Sequence, residues 1–78
     1  MEREVMVHWI ENSLFTCGGK ADVDIRVAYD DVKYDVVDRL TFYSGDEVMV
    51  HLVNADEAVP LSRLTGDSVY QIFKGIVE

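Results

Sequence analysis

At 78 residues the chain has room for one small domain, spanning 1–78, and not for two. Its apolar fraction of 49% argues against disorder, and a single cysteine excludes an internal disulfide framework. Fifteen acids against seven bases leave a formal charge of −8, a surface that repels nucleic acid and anionic membranes and attracts basic proteins or cations.

The opening Met1-Glu2-Arg3-Glu4 is mixed in charge, and the apolar run after it is too short for a signal peptide. No segment approaches the roughly 20 apolar residues of a membrane span. A cytoplasmic protein with no membrane partner is expected.

Residues 5–10 form the first predicted strand. Val5, Val7 and Trp9 occupy one parity and Met6 and Ile10 the other. A strand apolar on both sides requires cover on both sides, and in so short a chain a second copy can supply it. A homodimer with Val5, Val7 and Trp9 in its interface is the expectation. Glu11-Asn12-Ser13 reads as a turn and residues 14–17 as a short second strand, after which Gly18-Gly19-Lys20 breaks the pattern into a flexible connection. The Gly-Lys pair is no phosphate loop, because Leu14 stands where the first glycine belongs and Ala21 follows the lysine.

Residues 21–37 state their geometry most plainly. Val23, Ile25, Val27 and Tyr29 alternate with Asp22, Asp24, Arg26 and Ala28; after Asp30-Asp31, Val32, Tyr34 and Val36 alternate with Lys33, Asp35 and Val37. Two period-two runs around a polar link predict a β-hairpin. Setting Tyr29 opposite Val32 places both apolar sets on one face. The same register pairs Arg26 with Asp35 and Asp22 with Arg39, so the outward face balances its charges. Asp38 interrupts the inward set that Leu40 and Phe42 continue, which points to a bend or bulge; a short helix over residues 36–40 is the alternative, and the β-branched and aromatic content favours strand.

Ser44-Gly45-Asp46-Glu47 is the next turn, and residues 48–53 read as an interior strand because both parities are mostly apolar. The register between these last two strands is left open by the loop length. Pro60 confines residues 58–61 to an edge or an extended connector. Val69, Ile72, Phe73, Ile76 and Val77 recur at helical spacing, with Ser68 and Gln71 in the form of a capping box. The predicted fold is α+β: a small antiparallel sheet of four to five strands with one C-terminal amphipathic helix packed on it.

Chemistry-bearing constellations are sparse. Cys17 with His8 or His51 could form a nucleophile–base pair, but no spacing supports it and no helix N-terminus follows the cysteine to activate it. One Cys and two distant His lack the paired spacing of a zinc site, and no acidic run follows the calcium-loop pattern. No metal and no cofactor is therefore expected, and no enzyme. The strand aromatics lack the interleaved Lys and Arg of a base-stacking surface, which excludes direct nucleic-acid binding.

What remains is the acidity. The doublets Asp30-Asp31, Asp46-Glu47 and Asp56-Glu57 fall in predicted turns, and Asp38 sits uncompensated at the strand break. Carboxylates presented this way stand in for phosphates before a basic groove. In size and charge the chain resembles small acidic phage inhibitors and nuclease-immunity proteins. The expected function is a non-enzymatic, DNA-mimic-like inhibitor binding the basic surface of a nucleic-acid-binding protein through Asp30, Asp31, Asp38, Asp46, Glu47, Asp56 and Glu57. The alternative is an assembly subunit pairing through its N-terminal strand. A small enzyme using Cys17 with His8 or His51 comes last.

Overall fold

A computed structural model describes residues 2–77. The domain is α+β, with a small antiparallel sheet and two helices. Helix α1 (Arg3–Thr16) is followed by β1 (Lys20–Ala21), β2 (Arg26–Tyr29), β3 (Lys33–Thr41), β4 (Met49–Leu52), β5 (Val59–Pro60), a 3-10 turn (Leu61–Arg63) and α2 (Gly66–Val77). The sheet order is β1-β3-β4-β5, with β2 also pairing β3.

The two predicted N-terminal strands are instead one helix. Met6, Ile10 and Leu14 are buried at i, i+4 and i+8, a helical stripe rather than a strand parity. Val7 is half-buried against the core, while Val5 and Trp9 face away from it. Apolar residues on two faces of the helix imitate the two parities of a buried strand, so the sequence pattern alone favours strand. The Gly18-Gly19 pair is the helix stop and not a flexible link. Both glycines have left-handed φ, 82° and 83°. The Gly19 N–H donates to the Leu14 carbonyl at 2.7 Å and the Gly18 N–H to that of Phe15 at 3.3 Å, the Schellman arrangement.

The β2–β3 hairpin exists, in a register one residue from the expected one. Tyr29 faces Lys33, Val27 faces Asp35 and Arg26 faces Val36. Asp30 and Asp31 both take left-handed φ, 52° and 64°, which short acidic side chains tolerate, and Val32 joins them in the loop. Val37 and Leu40 lie on opposite parities, yet both are buried. Only an irregularity between them permits this, and the β3–β4 register shifts between Val37 and Arg39, so the bulge expected at Asp38 is present. Beyond it Leu40 faces Val50 and Thr41 faces Met49, which resolves the open register.

Strand β4 is interior, and β5 with Pro60 forms a short edge. The chain then returns to the free side of β2. Tyr29 bridges Leu64, the Asp30 N–H donates to the Arg63 carbonyl, and the Thr65 N–H donates to that of Ala28. An edge that would otherwise invite foreign strands is thereby occupied.

Helix α2 starts one turn earlier than the predicted cap. The Ser68 N–H donates to Thr65 Oγ1 at 3.2 Å, so Thr65 caps the helix. Ser68 Oγ instead accepts the Ala28 N–H at 2.7 Å, tying α2 to β2. Val69 and Ile72 are fully buried, Phe73 and Ile76 lie half-buried, and the Val77 side chain falls outside the described residues. The core joins these residues to Ile10 and Leu14 of α1 and to Val27, Leu40, Val50 and Leu61. Each such side chain contributes roughly 1.5–3 kcal/mol on burial.

Candidate functional site

The register change and the bulge together decide which charges meet. Val23 and Val27 point into the core, so alternation sends Asp22, Asp24 and Arg26 outward. The bulge turns Asp38 outward as well. Asp22, Asp24 and Asp38 line one open cleft of about 300 Å³, floored and flanked by Val23, Val37 and Val53. All three aspartates are exposed. Neither Arg26–Asp35 nor Asp22–Arg39 forms an ion pair; the ion pairs among the described residues are Asp38–Arg39, at 3.5 Å, and Asp30–Arg63. The cross-strand charge pairing expected on the outward face is therefore absent, and three aspartates share one cleft instead.

The other predicted acidic residues divide into two kinds. Asp30 accepts hydrogen bonds from Arg63 Nε, at 2.9 Å, and from its terminal nitrogen. That hydrogen bonding holds the Asp30 carboxyl below the usual carboxylate value against the opposing effect of burial, with the Arg63 and Lys33 charges adding to it. Glu47 accepts the Ser62 N–H at 3.0 Å. Both acids therefore anchor the 3-10 turn, which Arg3 also holds by donating to the Leu61, Ser62 and Leu64 carbonyls. Asp31, Asp46, Asp56 and Glu57 are exposed. They do not form one cluster: Asp31 lies at the β2–β3 turn, Asp46 in the β3–β4 loop, and Asp56 and Glu57 at the other end of β4.

Asp35, expected outside, is 5% exposed. Its oxygens accept the Val36 N–H at 2.7 Å, the Asn54 N–H at 2.9 Å and the Asn54 side-chain amide at 3.0 Å. Burial opposes its ionisation, but these donors and the Arg26 charge outweigh burial and keep the carboxyl below its ordinary value. The Asp35–Asn54 clasp fastens the chain just after β4 to β3. Since Val53 lines the cleft, the clasp also sets one cleft wall.

Across the same sheet surface, Arg39 faces His51, and Thr41 Oγ1 is hydrogen-bonded to His51 Nε2 at 2.9 Å. Burial pushes the imidazole below its usual value, Arg39 pushes the same way, and Asp38 opposes both. Cys17 is exposed at the end of α1 and His8 is exposed on it. Nine residues of helix separate the two by about 13 Å along the axis, too far for a catalytic dyad. Among the described residues no group of three or more His, Cys, Asp or Glu is arranged to hold a metal ion, and no helix is long and apolar enough to cross a membrane.

Two signals for this site were present in the sequence: Asp38, which marks the bulge, and the even spacing of Asp22 and Asp24. Their meeting could not be read, because it depends on a register set by distant contacts. No family model, curated protein or solved structure matches the chain.

Proposed function

We propose that the protein is a non-enzymatic acidic interaction module of the cytoplasm, an inhibitor whose carboxylates occupy the basic, nucleic-acid-binding surface of a partner protein. The observation that carries the reading is the cleft of Asp22, Asp24 and Asp38, with Arg39 as its ion-pair partner at the rim. Three carboxylates lining one cleft offer an incoming guanidinium or ammonium group several charged acceptors at once. The apolar floor suits the methylene stem of a Lys or Arg. In this reading both helices, α2 included, back the sheet from one side and leave its other face for the partner. Asp31, Asp46, Asp56 and Glu57 extend the field that steers the encounter, while Asp30 and Glu47 serve the fold.

The test is binding to purified basic nucleic-acid-binding proteins at low and high salt, with nucleic acid as competitor. The reading expects affinity that falls steeply with salt, displacement by nucleic acid, and loss in the Asp22→Asn, Asp24→Asn, Asp38→Asn triple variant. Binding indifferent to salt and to these changes would sink it.

A second reading, an assembly subunit or homodimer, has its own support in α1. Trp9 is 52% exposed, and Val5 and Phe15 are also exposed, so the pairing surface would be a helix face rather than the strand first expected. Sedimentation of the native chain and of Trp9→Ser distinguishes it: a dimer that this change dissolves favours assembly.

A further inference from the structure

Facing Tyr29 with Lys33 turns Val32, Tyr34 and Val36 away from the core. Val32 is 77% exposed and Tyr34 73% exposed, while Val36 is half-buried. Val53, 61% exposed, joins them, since its N–H donates to the Val36 carbonyl at 3.0 Å. A single exposed valine is ordinary, whereas a contiguous apolar strip rimmed by charge is the mark of an interaction surface. The neighbouring register would have placed Val32, Tyr34 and Val36 inside and Asp35 in water. This chain instead buries the carboxylate and exposes the tyrosine, with Val37 as the residue gained by the core. Local rules broken in this way concentrate at functional surfaces.

The strip is continuous with the carboxylate cleft, because Val53 belongs to both. Asp22, Asp24 and Asp38 line the cleft that shares Val53 with it, and Asp31 precedes Val32 at its tip. Arg26, facing Val36 across the ladder, is a cation among these four carboxylates, so the surround is predominantly acidic. Such a rim selects the occupant. A second copy, at net −8, would set acids against acids, and nucleic acid would do the same.

We propose that Val32, Tyr34, Val36 and Val53 form the anchoring centre of the interface with a basic protein, receiving an apolar or aromatic side chain flanked by Lys or Arg. This rests on the acidic-module reading and adds the feature that sets affinity, since desolvated aromatic contacts and not rim charges dominate binding energies.

The test uses the full-length isotope-labelled chain and three synthetic probes: a basic peptide carrying two tryptophans, an oligolysine of equal charge, and the tryptophan peptide with its bases replaced by glutamate. The tryptophan peptide should shift amides at 32–36 and 53 together with those at 22–24 and 38. It should bind about tenfold more tightly than oligolysine, and Tyr34→Ser with Val53→Ser should remove that advantage without altering the unfolding midpoint. Equal affinity for the two basic probes, shifts confined to the Val5 and Trp9 face, or the same amides moving with protein concentration alone overturns the proposal. If the Asp22, Asp24, Asp38 variant loses both basic probes while Tyr34→Ser changes nothing, the anchor fails and the acidic module stands. If no basic probe binds, both fail.

Discussion

Val27 lies directly opposite Asp35 across the β2–β3 ladder, and both side chains are buried. A valine facing a carboxylate inside a small domain is an unfavourable pair taken alone, since an unsatisfied buried charge is strongly destabilising. It persists because Val36 and Asn54 supply the carboxylate with N–H donors and because the same register brings Val37 inside. Turning Val32 and Tyr34 outward forgoes roughly 1.5–3 kcal/mol of burial for each large apolar side chain.

Acid should loosen this clasp. The folded-state value of Asp35 lies below the ordinary 3.8, so its contribution is complete above the unfolded value and is lost as pH falls through the folded one. The part of the urea-unfolding midpoint that Asp35→Asn removes should be constant above pH of about 4.5 and decline below about 4. The Asp35→Asn variant should be less stable at neutral pH and lose less on acidification. Asp30, shifted in the same direction by Arg63, contributes a residual decline that this variant keeps. A variant with undiminished stability at pH 7 would show that the clasp contributes nothing.

His51 acts in a higher window. Its folded-state value lies below 6.5, so folding favours the neutral ring. The stability linked to it is full above 6.5 and declines as pH falls through that value toward the folded one. Replacing His51 with Gln should flatten the unfolding midpoint between pH of about 5 and 7 while leaving the deeper acid transition in place. Persistence of the upper slope in that variant would assign it to another group.

The two faces of α1 should respond oppositely. Ile10→Ala removes a fully buried side chain and should cost about 2–5 kcal/mol in denaturant unfolding. Trp9→Ser alters an exposed side chain and should stay within about 0.5 kcal/mol. A strand with Val5, Val7 and Trp9 inward would make Trp9 the damaging site, so a large loss at Trp9 would contradict the helix.

The glycine pair should be unequal as well. A Cβ at Gly19 would lie 2.4 Å from the Phe42 carbonyl oxygen, and the Gly19 φ of 83° already disfavours a side chain. Gly19→Ala should cost clearly more than the roughly 1 kcal/mol of left-handed strain alone, because backbone must move. At Gly18, where nothing stands within 4 Å of a Cβ, the strain alone should remain. Equal losses in thermal unfolding would mean that β1 yields freely to the added methyl.

The sequence by itself determined the α+β class, the β2–β3 hairpin, the bulge at Asp38, the edge at Pro60 and the apolar face of α2. Each of these is a local matter of alternation, helical spacing or proline geometry. It also carried the mark of the α1 end, the Gly18-Gly19 pair that follows Leu14. Tertiary structure decided the rest. Whether residues 5–10 become helix or strand depends on which apolar set finds a partner, and α2, distant in sequence, lies against Met6, Ile10 and Leu14's helix. The hairpin register depended on Asn54 reaching Asp35 and on Leu64 reaching Tyr29, contacts that no reading of residues 21–37 alone contains. That one-residue choice reversed the faces of β3, placing Asp35 inside and Tyr34 outside, and so gathered Asp22, Asp24 and Asp38 beside Val53.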